Sequence, residues 1–192
     1  MAWHRKILRV DLTANTCTSE PLNMDWAHSY LGSRGLATKY LAEEMNATIS
    51  PLSPENMLIF ATGPLTGTNA PTGGRFSVVT KGALTNAIAC SNSGGQFGGE
   101  LKMAGWDMII IQGKAKKPIY LVIQDEKATL FPADNFIWGD SVWTTEKKIR
   151  SKHQDPLMRI ASIGVTGEKM VRYACICLNA RGGFCFLRSL HV

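Results

Sequence analysis

The stretch that decides the fold is ATGPLTGTNAPTGGRFSVVT, residues 61–80, in which a glycine-rich loop separates two apolar segments. The first segment runs from Met57 to Thr62 and the second from Phe76 to Thr80. Both contain β-branched and aromatic residues, which favour strands. Glycines and prolines punctuate the stretch between them and exclude a helix or an unbroken strand there. The pattern predicts two strands joined by an irregular loop.

Further elements follow on both sides of this stretch. Leu8, Val10 and Leu12 alternate with polar residues, which predicts a strand that opens a hairpin. The other predicted strands are Ala87–Ser91, Met108–Gln112, Ile119–Gln124, Ala128–Phe131, Met158–Ile163 and Tyr173–Leu178. Predicted helices cover Asp25–Leu31, Leu36–Met45, Phe97–Ala104 and Ser141–Lys152, with Gly32-Ser33-Arg34-Gly35 interrupting the first two. Strands dominate without alternating with helices, so we expect an α+β fold with mostly antiparallel sheet.

Length and composition exclude several classes of protein. The chain has 192 residues, 45% of them hydrophobic and 19% charged, which suits one globular domain. Its longest apolar run, Tyr173 to Leu178, is far shorter than the roughly 20 residues of a membrane span. The start has no signal-peptide pattern, and a cytoplasmic location is our working assumption. We therefore expect no membrane partner.

The net charge of +6 suits nucleic acid, membrane headgroups or a phosphorylated cofactor, and charge alone does not choose among them. The sequence contains no RNA-binding sheet motif and no zinc finger, so no nucleic-acid partner is expected. Five cysteines without a C-x-x-C pair support neither a disulfide framework nor a self-contained zinc site. Four scattered histidines lack metal-ligand spacing, and no catalytic residue can be named.

Ten of the eighteen glycines lie between Gly63 and Gly105, and this centre carries the functional signal. Glycine lets the backbone approach a ligand closely and expose N–H groups to an anion. Arg75 follows two glycines and offers a planar fork of donors suited to phosphate. Asn92 offers both a carbonyl oxygen and an amide. The loop after Asn92 leads into the predicted helix Phe97–Ala104, whose first amides would add further donors.

Two interpretations of this centre stay open from the residues alone. The glycines either form tight turns between short strands or line a site for a phosphate or another anion. The standard nucleotide motifs, G-x-G-x-x-G and G-x-x-x-x-G-K-[ST], are absent. A site here would therefore be built differently from those of the common nucleotide-binding folds.

Residues 61–80, together with Asn92-Ser-Gly-Gly95 and Leu101-Lys-Met-Ala-Gly-Trp-Asp107, resemble the amino-terminal domain of the aldehyde ferredoxin oxidoreductase family. Shorter matches include Leu31-Gly-Ser-Arg-Gly-Leu36 and Ile137-Trp-Gly139. The resemblance extends over residues 5–179. It implies a domain of two mostly antiparallel sheets that supports tungstopterin or molybdopterin, with two pterins for each metal.

The resemblance also implies roles for individual residues. Arg75 and the loop of Asn92, Ser93, Gly94 and Gly95 would contact pterin phosphates, and Asn92 would lie at a Mg²⁺ ion that bridges them. The family passes electrons from aldehydes through a 4Fe-4S cluster to ferredoxin or another redox partner. The cluster's cysteine ligands have no counterpart in this sequence.

The carboxyl end departs from the family pattern. Residues 1–179 form the family-like domain, and residues 180–192 form a divergent tail that we interpret as a truncation or a shifted reading frame. Arg181 begins a family-like loop that then breaks off, so it is not among the expected ligands. We expect the chain to be an oxidoreductase fragment that lacks activity without its missing carboxyl-terminal domains or a second subunit. The alternative is a non-catalytic, stand-alone domain that binds a phosphorylated ligand or a partner subunit.

Overall fold

The computed structural model describes residues 3–178 and the backbone of residues 184–185. Its elements in chain order are β1 (Lys6–Asp11), β2 (Thr16–Pro21), α1 (Met24–Tyr30), α2 (Ser33–Glu44), β3 (Leu58–Thr62), β4 (Phe76–Lys81), β5 (Ile88–Ser93), α3 (Phe97–Met103), β6 (Met108–Gln112), β7 (Ile119–Gln124), β8 (Lys127–Pro132), α4 (Val142–His153), β9 (Ala161–Ser162), α5 (Gly164–Glu168), β10 (Ile176–Leu178) and β11 (Phe184–Cys185). None of the helices in this described part is long and apolar enough to cross a membrane.

The main sheet has six strands in the order β2-β1-β6-β3-β4-β5. Every pairing in it is antiparallel except β1 with β6. All residues of β3 and β4 are buried, because both faces of the sheet are covered at its centre. Two smaller ladders, β7-β8 and β11-β10-β9, are also antiparallel. The expected α+β class with mostly antiparallel pairing is confirmed.

The two faces of the main sheet carry different layers. On one face, Ile59 and Val79 pack against Leu36 and Leu41 of α2. On the other face, Phe60 and Phe76 belong to a core shared with α3 and with apolar residues of the two smaller ladders. Side chains alternate along a strand, so neighbouring residues of β4 and β5 face opposite layers. This alternation decides which polar groups can meet at the ends of these strands.

The helix predicted for Leu36–Met45 begins three residues earlier, at Ser33, within the segment expected to interrupt it. Leu31, Gly32 and Ser33 have φ values of 60°, 98° and 46°. These three left-handed residues turn the chain so sharply that α2 starts directly after α1. Glycine adopts this conformation easily, whereas Leu31 and Ser33 do so at a cost. Local composition therefore predicted a loop where the tertiary structure holds a tight corner.

The late strands are shorter than predicted. Of Met158–Ile163, only Ala161 and Ser162 form a strand, and Tyr173–Leu178 is reduced to Ile176–Leu178. A strand extends only as far as its partner provides hydrogen bonds, and β9 pairs with just two residues of β10. The short helix α5 lies outside the predicted elements. Arg181 and most of the predicted tail lie outside the described residues.

Candidate anion-binding site

Two glycine-rich loops meet at one end of the main sheet. Residues 63–75 connect β3 to β4, and residues 94–96 connect β5 to α3. Phe76, which begins β4, lies directly opposite Ser93, which ends β5. Because the two strands are antiparallel neighbours, their attached loops emerge side by side. The sequence separates these loops by about twenty residues, and the strand register brings them together.

The loops approach so closely that side chains are excluded between them. A Cβ atom on Gly74 would lie 2.4 Å from the carbonyl oxygen of Gly95. A Cβ atom on Gly98 would lie 3.1 Å from the carbonyl oxygen of Gly74 and from Phe76. Such distances are below ordinary contact, so these glycines serve backbone packing. Buried Thr66 completes the arrangement, since its hydroxyl accepts from the Gly63 amide and donates to the Arg75 carbonyl, each at 2.9 Å.

Arg75 and Asn92, both predicted as site residues, are in direct contact. Nη1 of Arg75 donates to Oδ1 of Asn92 at 2.5 Å. The Asn92 amide nitrogen donates to the Phe76 carbonyl at 3.2 Å and to Oγ of Ser77 at 3.3 Å. These bonds fix the carboxamide with its oxygen toward the guanidinium. Arg75 is exposed and has no carboxylate partner among the residues described in the structure.

Gly94 and Gly95 face open space. A Cβ atom on either residue would meet no other atom within 4 Å. Gly95 also has a φ of 87°, a conformation that favours glycine. The backbone beside Arg75 can therefore be approached closely by a ligand. This geometry fits the predicted use of these two residues as amide donors to an anion.

Ser93 lies on the other side of the sheet from Asn92. Its side chain shares a face with Phe76, because the two residues are paired in the ladder. The residue is 4% exposed, and its hydroxyl has no hydrogen-bond partner in the described part of the chain. The structure therefore does not bring the Ser93 hydroxyl to the guanidinium of Arg75. A role for Ser93 in cofactor binding stays a prediction.

The start of α3 differs from expectation. The first amides of the predicted helix Phe97–Ala104 were expected to add donors, but Gly98 and Gly99 in this first turn are buried. They pack against Gly74, Phe76 and the backbone of Gly67. Their function is to let α3 lie beneath the two loops. Of the four glycines between β5 and the first turn of α3, Gly94 and Gly95 are the two that face open space.

Two residues that sequence reasoning missed extend the site toward α2. Oγ of Ser77 lies 2.8 Å from Oγ of Ser33, the first residue of α2. Arg75, Asn92, Ser77 and Ser33 thus form one hydrogen-bonded chain, which we call the polar cluster. A serine between the apolar residues Phe76 and Val78 of β4 was a weak signal for Ser77. Ser33 carried no such signal, because its position depends on the corner before α2.

A buried ion pair stabilises α3, the helix that packs beneath the two glycine-rich loops. Lys102 of α3 and Asp107 form a salt bridge, with side chains 4% and 0% exposed. Burial lowers the pKa of Lys102, and the charge of Asp107 opposes this shift. Asp107 also accepts from the backbone amides of His4, Arg5 and Lys6 at 3.2, 2.6 and 3.3 Å. The pair joins α3 to the start of β1.

Known proteins resemble this chain closely. Residues 7–187 match the family model described as aldehyde ferredoxin oxidoreductase, N-terminal domain. Tungsten-containing aldehyde ferredoxin oxidoreductases from Pyrococcus abyssi and Pyrococcus horikoshii are 51% and 50% identical to it. Each alignment covers 93% of this chain and 30% of the relative, so the chain spans less than a third of their length.

A solved structure carries the same fold. It is described as the active site complex BamBC of benzoyl coenzyme A reductase in complex with 1,5-dienoyl-CoA. The match has a TM-score of 0.92 and 33% identity, and it covers 99% of this chain and 28% of that one. Sequence and fold agree, and the chain therefore belongs to the aldehyde ferredoxin oxidoreductase family of oxidoreductases, in the region of its amino-terminal domain.

Proposed function

We propose that this chain is the part of a tungsten-containing aldehyde ferredoxin oxidoreductase that binds the phosphate groups of the pterin cofactor. One observation carries the proposal: the Arg75 guanidinium, without a carboxylate partner among the described residues, is held by Asn92 beside the open backbone of Gly94 and Gly95. A guanidinium binds two phosphate oxygens at once, and such charge-assisted hydrogen bonds are strong. The relatives' names favour tungsten over molybdenum.

The residues present fit a phosphate ester. Arg75 would supply the positive charge and the paired donors, and the amides of Gly94 and Gly95 would supply neutral donors. The side chains of Ser33, Ser77 and Asn92 are short, and Gly94 and Gly95 have no Cβ atoms. This leaves room for the phosphate-bearing part of the pterin cofactor. When bound, the tungsten–pterin group supplies the two-electron redox chemistry, while this chain binds and orients it.

We also propose that Asn92 would be a ligand of a Mg²⁺ ion at the cofactor phosphates. The Asn92 carboxamide oxygen has a second lone pair beyond the one that accepts from Arg75. Asn92 would hold the cation through this lone pair, and Arg75 would keep its contact with the same oxygen. No group of three or more histidine, cysteine or acidic side chains able to hold a metal occurs within residues 3–178. The remaining ligands of a magnesium ion would be phosphate oxygens and water.

We assign the complete reaction to the assembled enzyme. In it, an aldehyde and water become a carboxylic acid, two protons and two electrons, and the electrons leave through a 4Fe-4S cluster to ferredoxin. The cluster ligands, the substrate pocket and the proton-transfer groups would lie in the further two thirds that the relatives possess. By this assignment the present chain alone does not oxidise aldehydes.

The proposal is tested by the metal content of the assembled enzyme. The chain is co-expressed anaerobically, with tungstate, with the remaining part of the Pyrococcus abyssi relative, and tungsten and pterin are measured after purification. We expect both in the wild-type complex and a large loss with Arg75→Ala at unchanged complex yield. Equal tungsten and pterin in the two complexes would overturn the proposed role. A chain that binds phosphate but never acquires tungsten with the co-expressed part would support the non-catalytic alternative.

A further inference from the structure

A second arginine lies close to the polar cluster without a charged partner. Arg34 is the second residue of α2, directly after Ser33, and its side chain is exposed. It forms no ion pair with any residue that the structure describes. Arg9 is different, since it is paired with both Glu20 and Glu44. An exposed guanidinium without a carboxylate is available to an anionic ligand.

The strand register places Arg34 on the same side of the sheet as Asn92. Ser33 contacts Ser77, and Ser77 lies directly opposite Asn92 in the β4–β5 ladder. Cys90, two residues before Asn92, shares its face of β5, with side chains about 7 Å apart. Helix α2 packs along β4 and also contacts β5. The first turn of α2 therefore runs beside the exposed end of β5.

The corner before α2 holds this arrangement in place. Leu31, Gly32 and Ser33 are all left-handed, so the direction in which α2 leaves α1 is fixed. A Cβ atom on Gly35 would lie 2.6 Å from the carbonyl oxygen of Tyr30, so the two helices meet without room for a side chain. The contact between Ser33 and Ser77 then ties the start of α2 to β4. The backbone of Arg34, directly after Ser33, is thereby held next to the polar cluster.

We infer that Arg34 is a second anion-binding guanidinium of the site that contains Arg75, and that the two arginines together balance a doubly charged phosphate ester. The inference rests on the proposed function and adds a binding residue to it. A phosphate monoester carries nearly two negative charges near neutral pH, and Arg75 alone supplies one positive charge. Ser77 and Ser33 continue the chain of hydrogen bonds from Arg75 and Asn92 to the residue directly before Arg34. Their hydroxyls offer neutral donors within the same site.

Calorimetric titration of the purified chain with inorganic pyrophosphate at low salt tests the inference. The variants are Arg34→Gln, Arg34→Lys, Arg75→Gln and, as matched control, Arg172→Gln. Arg172 is also exposed and without an ion pair among the described residues, but it precedes β10, in the layer on the other face of the sheet. We expect about a ten-fold weaker Kd for Arg34→Gln and for Arg75→Gln, a partial recovery with Arg34→Lys, and a change under about two-fold for the control.

The outcomes separate the inference from the proposed function. If Arg34→Gln binds like the Arg172→Gln control while Arg75→Gln is weakened, the role of Arg34 is wrong and the proposed function stands. If the wild-type chain does not bind pyrophosphate, or if Arg75→Gln has no effect, both fail. A second titration compares inorganic phosphate with a pterin phosphate monoester. Tighter binding of the ester identifies a cofactor site, and equal binding identifies a site for free phosphate, which contradicts the ester named here.

Discussion

Arg75 and Lys102 are two cations in contrasting environments. Lys102 is buried and neutralised by Asp107, and the pair joins α3 to the first strand. Arg75 is exposed, bonded to a neutral carboxamide, and without a counter-ion among the described residues. The first arrangement satisfies its charges within the protein and stabilises the fold. The second leaves a positive charge without a counter-ion in the described part of the chain, and on this difference we propose that Arg75 binds a ligand while Lys102 is structural.

The largest expected effect concerns stability and the buried pair. Asp107→Asn leaves the ammonium of Lys102 uncompensated and weakens the acceptor of three backbone amides. We expect it to lower the free energy of unfolding by about 3–5 kcal/mol, measured by chemical denaturation. Arg75→Ala in the same assay should change it by less than about 0.5 kcal/mol. Equal losses for the two variants would remove the distinction between the two cations.

The next effect concerns two glycines, one that we assign to backbone packing and one that we assign to ligand binding. Gly74→Ala places a methyl group against the Gly95 carbonyl, and we expect a loss of about 3 kcal/mol in the free energy of unfolding. Gly94→Ala, the matched control, adds the same methyl group to open space and should leave stability nearly unchanged. Its effect should instead appear as weaker pyrophosphate binding. Destabilisation by Gly94→Ala comparable to that of Gly74→Ala would contradict this division of roles.

A smaller effect is expected for binding through Arg75. Arg75→Ala removes a charge-assisted contact worth about 1.5–3 kcal/mol of phosphate affinity if the contact is shielded from water. Cofactor retention in the assembled enzyme, followed as pterin content after dialysis, should fall accordingly. The thermal unfolding midpoint of the chain should stay the same. Unchanged retention would count against the central role given to this arginine.

The smallest effect is electrostatic and concerns Cys90. Cys90 is exposed as a whole, but partial desolvation of its thiol raises the pKa, and the positive charge of Arg34 opposes this shift. Alkylation of Cys90, followed by mass spectrometry of its peptide, should therefore reach half its maximal rate at a higher pH than a free cysteine peptide does. Arg34→Gln removes the charge that stabilises the thiolate and should move the midpoint to still higher pH. An unchanged midpoint, or a shift to lower pH, would contradict an electrostatic effect of Arg34 on this face of β5.

Sequence alone predicted those features that short segments determine. The strands Met108–Gln112 and Ile119–Gln124 have the predicted bounds, because continuous apolar runs and flanking turn residues define them. The glycine-rich strings also marked Arg75 and Asn92, which the structure brings into contact. Here the unusual composition of the loops was itself the signal.

The features that were missed depend on contacts between distant segments. Ser33 and Ser77 are 44 positions apart and meet only because α2 packs on β4. The first amides of α3 were expected to serve a ligand, but the packing of Gly98 against Gly74 could not be foreseen from its neighbours in sequence. The strands near Ala161 and Ile176 are short because each depends on the length of its partner. Register and packing, rather than local propensity, decided these positions.

The central claim is tested most directly by the backbone amides themselves. In a ¹⁵N-labelled sample, amide chemical shifts are recorded by NMR as a pterin phosphate monoester is added. We predict saturable shifts at Gly94, Gly95 and the Arg75 side chain, with little change at buried Gly98 and Gly99. Saturable shifts confined to another region of the chain, with Gly94 and Gly95 unmoved, would contradict the central claim.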